Sequence, residues 1–294
     1  GSWAPLHLAC PLPDRLRELD TLFLRGIPSR EGTAVQWVPY RQADSSVLPG
    51  PTASHPVALL FLERLEGPAW DPAQAYPLAH QLRRAILRRW PDPVPVWILG
   101  HGAGPDTPRL AIHPLFDVGH DHADGHALGF LLTWPRSVPQ AEQHQLRQVV
   151  RALTRLTLPN GSWILRARDP REPVPARPRW GLTPERWSGP SRRWTTVTPA
   201  LLDAVPKPRQ PEAAWRRLFR HAGLPEPLLA VAHPLPRLPG AVPARQTRLP
   251  THYRPPLIAT HLTLEFAEPV SGPLAVGRGR FLGLGLLAPC PTTR

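Results

Sequence analysis

The chain has no methionine, only two cysteines, and a single lysine, Lys207, in 294 residues. Two cysteines, Cys10 and Cys290, supply neither a disulfide framework nor a thiolate zinc site. Long apolar runs are missing as well. The longest are short and broken by proline or charge, which excludes a transmembrane helix, and no signal-peptide pattern opens the chain. The expected compartment is a reducing cytoplasm. Without a methionine the first residue is not an initiator: Gly1-Ser2 reads as left over from cloning, or else the chain is a fragment of a longer protein.

What is abundant is arginine and proline. Lys plus Arg number 35 against 22 Asp plus Glu, a formal charge of +13. A high-GC genome would give the same arginine bias, and a merely soluble basic protein is the plain alternative. An excess of this size nevertheless points to an anionic polymer, because each phosphate neutralised by a guanidinium releases a counterion. The 43 prolines punctuate apolar segments instead of clustering in polar tracts, so the protein is expected to be folded and loop-rich.

Residues 1–52 show little pattern: Leu16 to Leu24 reads as a short helix and Thr33 to Pro39 as a strand without a partner. From residue 53 the periodicities are clearer. Val57–Leu62 reads as a strand, and Asp71–Trp90 as a helix with Leu78, Leu82 and Ile86 inward and arginines outward. Leu110–Leu115 and Ala127–Trp134 follow as strands, then a helix over Gln140–Leu156 and a strand over Ser162–Arg168. Val96-Trp-Ile-Leu99 also looks strand-like. The order over 53–170 is β-α-β-β-α-β, the ferredoxin-like arrangement. In 171–294, past a proline- and arginine-rich linker, a weaker copy follows. Its strands are Trp194–Thr198, Leu228–Ala232 and Leu257–Phe266, its helix is Pro211–Ala222, and a long basic loop spans Pro234–Arg254. The expected fold is α+β, two tandem ferredoxin-like (RRM-like) units ending in a glycine-rich loop.

That last segment is Gly272-Pro-Leu-Ala-Val-Gly277-Arg278-Gly279-Arg280-Phe-Leu-Gly-Leu-Gly-Leu. Glycines admit positive φ and close backbone approach, and arginine forks match phosphate oxygens. The segment reads either as a loop laid along an anionic polymer or as a strand pair joined by a glycine bulge. A second cluster, His120-Asp-His122-Ala-Asp124-Gly-His126, lies between two strands, with its even-numbered members projecting one way if extended. Three chemistries compete for it: acid–base work on RNA, a hydrogen-bonded turn capped by Asp121 or Asp124, and a metal site. The metal alternative corresponds to the His-x-His-x-Asp-His run of metallo-β-lactamase-fold hydrolases. Gly125 interrupts that spacing, however, and the element order differs from that fold.

Three blocks together resemble a known family. The glycine segment is similar to the glycine-rich loop of the RAMP proteins of CRISPR systems. His113 to Gly129 and Arg186 to Pro199 are similar to blocks of the fused Cas-five/Cas-six protein of type I-G (formerly I-U) effectors. The resemblance implies a Cas-six-like endoribonuclease that cuts CRISPR repeat RNA to make guide RNA without a metal or other cofactor. The ribose 2′-OH attacks, leaving a 2′,3′-cyclic phosphate and a 5′-OH, and other subunits of a type I effector complex are partners. Residues 1–52 would then be a remnant of a Cas-five-like domain.

That reaction needs a base, an acid and cations. The expected acid–base residues are His120, His122, His126 and His101, the last set among glycines in Gly100–Gly104. The expected RNA contacts are Gly277, Arg278, Gly279 and Arg280 in the loop, Arg192, Arg193 and Trp194 by phosphate pairing and base stacking, and Arg245 and Arg248 in the basic loop. Trp187 and Trp194 read equally well as core. His113 and His261 read as structural. The main alternative is an RNA-binding subunit without catalysis.

Overall fold

The computed structural model describes residues 6–11, 35–40, 57–100, 109–168, 180–202, 211–249 and 258–290. The chain divides into two compact units, residues 1–50 and 51–294. In the first, β1 (Leu6–Pro11) pairs antiparallel with β2 (Val35–Tyr40), Leu6 opposite Tyr40 and Pro11 opposite Val35. The expected strand at 33–39 therefore has a partner, one whose Ala-Cys-Pro run shows no alternation. The helix expected at Leu16–Leu24 lies outside the described residues.

In the second unit, β3 (Val57–Glu66) leads into a turn of 3-10 helix at Pro72–Gln74, where Asp71 Oδ1 accepts the Ala73 N–H at 2.9 Å. This Asp-Pro start satisfies one orphan donor and presets φ. Helix α1 (Ala75–Leu87) then buries Leu78, Ala79, Leu82 and Ile86 in one stripe. Val96–Leu99 is not a strand. It forms one turn of helix, α2, entered from Pro95 and closed by Gly100 at φ +67°. A four-residue apolar run does not distinguish the two by period.

Strands β4 (Ala111–Phe116) and β5 (Ala127–Pro135) form a hairpin, and α3 (Gln140–Arg151) crosses back. The helix expected to reach Leu156 ends at Arg151. Arg155–Leu158 alternates exposed and buried and forms an edge strand, β6, paired with β7 (Gly161–Arg168). The sheet order is β4-β5-β3-β7-β6, antiparallel throughout. Without the added edge this is the ferredoxin-like order.

The second half repeats it. After α4 (Pro184–Ser188) come β8 (Pro190–Thr196), β9 (Ala200–Leu201), α5 (Pro211–Ala222), β10 (Leu229–His233), β11 (Ala259–Ser271), β12 (Leu274–Ala275) and β13 (Leu286–Pro289). The order β10-β11-β8-β13 matches β4-β5-β3-β7 strand for strand. Both β11 and β13 run antiparallel to β8, hence parallel to each other. A parallel connection normally needs a crossover helix. Here the glycine segment takes that place.

The two sheets share apolar contacts. A single buried cluster runs from Leu60, Phe130 and Leu132 through Trp163 to Trp187, Val197, Leu286 and Ala288. A second gathers Trp194, Leu218, Phe219, Leu262, Leu264 and Phe266 under α5.

Candidate functional site

The glycine segment is a folded turn. Gly277 sits at φ +83°, and the Arg278 N–H donates to Leu201 O at 2.7 Å. The Leu282 and Leu284 N–H groups return to Gly279 O at 2.8 and 3.2 Å, and Gly285 N–H donates to Pro199 O at 2.9 Å. Arg278 is exposed. Arg280 is not the unpacked cation that the glycine before it suggests. Its guanidinium donates to Gly277 O at 3.3 Å and to His221 O, in the last turn of α5, at 2.7 Å. It thereby satisfies a helix-terminal carbonyl.

Beyond Arg280 the loop crosses to the first ferredoxin-like unit. Ile112 N–H donates to Phe281 O at 3.0 Å, extending β4 by a parallel bridge to Leu282. Gly283 faces the first turn of α1 so closely that a Cβ there would stand 2.8 Å from Ala75 O. The loop is therefore seated in the seam between the two sheets, against α1.

On α1, Tyr76, His80 and Arg83 follow at i, i+4 and i+7 and share a face. The Tyr76 and His80 rings stack with centroids 6.0 Å apart and planes at 28°. Arg83 donates to Ile98 O at 2.9 Å. Burial lowers its pKa first; the Tyr76 phenol raises it, and the positive charge of Arg109 lowers it further. Arg109, just ahead of β4, lies over the Phe281 ring at 5.3 Å, and Arg280 lies over the same ring at 4.5 Å. An imidazole and a phenol thus share the α1 face with Arg83, whose neighbour Arg109 lies over Phe281 of the glycine loop. None of the residues named on α1 is among the expected acid–base groups. The signal available in the sequence was a Tyr and a His four apart on the polar side of an arginine-bearing helix. From Arg248, which is exposed, the backbone N–H donates to Ala73 O at 2.8 Å, placing it at the start of α1; Arg245 is exposed nearby in the chain.

The histidine cluster forms the β4–β5 turn. Asp117 is its organiser: its N–H and C=O pair with His126 O and Gly125 N–H, both at 2.9 Å. Its Oδ1 lies 2.9 Å from His120 Nε2. The Asp124 carboxylate accepts from both the backbone and the ring of His126, which holds its pKa below the usual range. His122 is exposed. The turn docks on the connection between β10 and β11 through Gly119 N–H to Pro239 O at 3.0 Å. It is a hydrogen-bonded turn, and it also offers ligands: one ligand atom each from Asp117, Asp124 and His126 lies within 4.8 Å of the others, a spacing that suits a divalent cation. Ile112, which anchors the glycine loop, is four residues from Phe116, about 13 Å along β4. The two clusters mark opposite ends of that strand.

Other expected contacts fall differently. Trp194 is fully buried, its indole N–H donating to Ser191 O at 2.8 Å, so it is core and unable to stack on a base. Trp187 is likewise buried. Arg192 pairs with Glu268 at 3.5 Å and Arg193 with Glu265 at 3.8 Å across β8 and β11. Both are cross-strand pairs between half-exposed side chains. His101 lies outside the described residues. His113 is buried with Nδ1 unpaired, and burial pushes its pKa down to about 4. His261, also buried, has Nε2 2.9 Å from Val242 O and Nδ1 3.0 Å from the Thr196 hydroxyl. Burial lowers its pKa, and the ring ties β11 to β8 and to Val242 in the β10–β11 connection.

No family model matches the chain, and no curated protein matches it. Among solved structures it is similar to a CRISPR associated protein Cas6 at 9% identity and TM-score 0.40, covering 79% of this chain and 98% of that one. It is also similar to a Cas6 product complex at 16% identity and TM-score 0.36, covering 80% and 99%. For a Thermus thermophilus Cas6 the values are 17% and 0.34, covering 81% and 99%. The assignment of two tandem ferredoxin-like units rests on the matching strand orders of the two sheets, and these overlays add nothing to it.

Proposed function

We propose that this protein is an endoribonuclease that cleaves CRISPR repeat RNA to give guide RNA, with the scissile phosphate held in the seam between α1 and the glycine loop. The observation that carries the reading is the seating of the Arg278-bearing loop against the helix that carries Tyr76 and His80. The sequence resemblance of that loop to RAMP proteins supports the substrate class. In the reaction the ribose 2′-oxygen forms a bond to phosphorus as the bond to the 5′-oxygen breaks. One group takes the 2′-OH proton and another returns a proton to the departing 5′-oxygen. An imidazole suits either task because its pKa lies near working pH. His80 is placed for one of them, and the stacked Tyr76 phenol for orienting or donating. Arg278 and Arg109 offset the charge that develops on the phosphorane.

His120, His122 and His126 make up the second acid–base set, favoured by the two carboxylates that orient His120 and His126; His101 belongs with them as a further imidazole. Cleavage of repeat RNA in EDTA ranks the sets. Loss on His80→Ala with binding retained supports the seam. Loss on His120→Ala or His122→Ala moves the chemistry to the turn. Binding without cutting by the intact protein would leave a non-catalytic RNA-binding subunit. A cytoplasmic location and partner subunits of a type I effector complex follow from the same proposal.

A further inference from the structure

Residues 110–135 hold no lysine or arginine, in a chain that carries 35 of them among 294 residues. Asp117, Asp121 and Asp124 fall in the middle of that stretch, together with His120, His122 and His126. Elsewhere among the described residues the ion-paired carboxylates have guanidinium partners: Glu63 with Arg166, Glu265 with Arg193, Glu268 with Arg192 and Glu226 with Arg216. Asp117 and Asp124 have imidazoles instead, His120 and His126. A strongly basic protein thus keeps its arginines away from one pair of carboxylates and sets imidazoles beside them.

The side chains are held by the two strand ends that the turn joins. Asp117 follows the last residue of β4, and His126 precedes the first of β5. The backbone pairs of Asp117 with His126 and Gly125 lock these stubs together. Gly240, in the β10–β11 connection, backs the turn so closely that a Cβ on it would stand 2.6 Å from Asp117 O. One ligand atom each from Asp117, Asp124 and His126 lies within 4.8 Å of the others, and His120 Nε2 lies 2.9 Å from Asp117 Oδ1. Around a tetrahedral ion with bonds of about 2.0–2.1 Å, ligand atoms stand about 3.3–3.4 Å apart. Gathering the three therefore takes side-chain shifts of about 1 Å, with His120 already on Asp117. Asp124 and His120 are exposed, which leaves an ion a path from solvent.

We infer that Asp117, Asp124 and His126, with His120 as fourth ligand, bind one first-row transition dication, zinc being the type case. The ion clasps the β4 and β5 ends of the turn where it meets the β10–β11 connection. Imidazoles suit zinc, cobalt or nickel, whereas magnesium and calcium take oxygen shells. Two carboxylates and two neutral imidazoles cancel the charge of a dication. The site lies at the far end of β4 from the seam, so the ion holds the turn and takes no part in cutting RNA. The inference does not rest on the proposed function.

The test uses the whole chain, stripped with EDTA and dialysed. Zinc uptake is followed by calorimetric titration, and cobalt uptake by its visible absorption, which reports tetrahedral coordination. One equivalent of zinc is expected to bind, and at about 100 times Kd it should raise Tm by about 5–10 °C. Asp117→Asn, Asp124→Asn and His126→Ala should each weaken zinc binding at least about tenfold and remove that rise, because losing even a group that merely orients a ligand costs about 10–100-fold. His122→Ala, exposed in the same turn but outside the cluster, should keep both. A chain that takes up no zinc overturns the site. So does zinc bound equally by the wild type and the three variants, since that is adventitious binding to surface histidines. Binding of magnesium in place of zinc overturns the metal class. Should Asp117→Asn fail to fold, the exposed Asp124→Asn decides. Cleavage is scored separately: zinc bound as described by a protein that never cuts RNA in EDTA sinks the metal-independent nuclease reading and leaves the site standing.

Discussion

Replacing Gly277 with alanine is a sharp perturbation of the loop. Gly277 sits at φ +83°, and a Cβ on it would lie 2.4 Å from Leu201 O. Holding an L-residue in the left-handed region costs about 1–2 kcal/mol. The clash forces the loop off β9 and breaks the Arg278 N–H to Leu201 O bond of 2.7 Å, worth about 1 kcal/mol net. The sum is about 2–3 kcal/mol, and for a domain of this size it should lower Tm by about 5–10 °C. Arg278 would be displaced with the loop, and the RNA salt slope should flatten by about 0.7 for one lost phosphate. Gly161→Ala is the control. Gly161 also has positive φ, at +134°, but its Cβ would meet only Pro68 side-chain atoms at 3.5 and 3.6 Å. It should lose stability from strain alone and keep the wild-type RNA slope. Calorimetry and anisotropy on the three proteins decide the matter. A Gly277→Ala protein with wild-type Tm and wild-type slope would refute the argument that this turn presents Arg278.

Three further outcomes concern His113, Trp194 and Asp117. His113, whose folded pKa is depressed to about 4, binds its proton more readily unfolded. Its contribution to stability is present above the unfolded value near 6.5 and falls as pH drops from there to about 4, by about 3 kcal/mol in all. Denaturant melts across that window should show the fall, and His113→Leu should flatten it. Trp194→Ala empties a core site and should cost about 3–5 kcal/mol in a denaturant melt, while the RNA salt slope stays at the wild-type value. In the β4–β5 turn, Asp117→Asn removes the carboxylate that faces His120 and lines the cation-sized cluster. If catalysis lies in the seam, this variant keeps its cleavage rate in EDTA.

The parts of the fold legible in the sequence were those in which hydrophobic period and punctuation agreed. β3, β5, α1 and α5 each carry an unbroken apolar pattern bounded by proline or charge. β6 was absorbed into the helix before it, because Leu153 and Leu156 continue the helical spacing of Val149 and Val150. Only the sheet edge beside β7 pulls Arg155–Leu158 into a strand. Val96–Leu99 went the other way, since four apolar residues fit either period and Pro95 and Gly100 settle it as a helical turn.

The site divides similarly. The glycine loop was visible because glycine and arginine alternate there. The seam was not, because it joins α1 to a loop at the far end of the chain, and nothing local pairs Tyr76 or His80 with Phe281. Trp194, which reads equally as a stacking platform or as core, is core because β8 places it under α5. Nothing local to the sequence decides between the two readings, since a tryptophan in a half-buried strand serves either.

The central claim is acid–base cleavage of RNA in the seam, and the most direct measurement is single-turnover cutting of repeat RNA in EDTA by the wild type, His80→Ala and the double variant His120→Ala/His126→Ala. The account predicts products ending in a 2′,3′-cyclic phosphate and a 5′-OH. It predicts a rate loss of about 10²–10⁴-fold for His80→Ala, with RNA affinity retained, and near wild-type cutting by the double variant. Full activity in His80→Ala, with loss in the double variant, would contradict it.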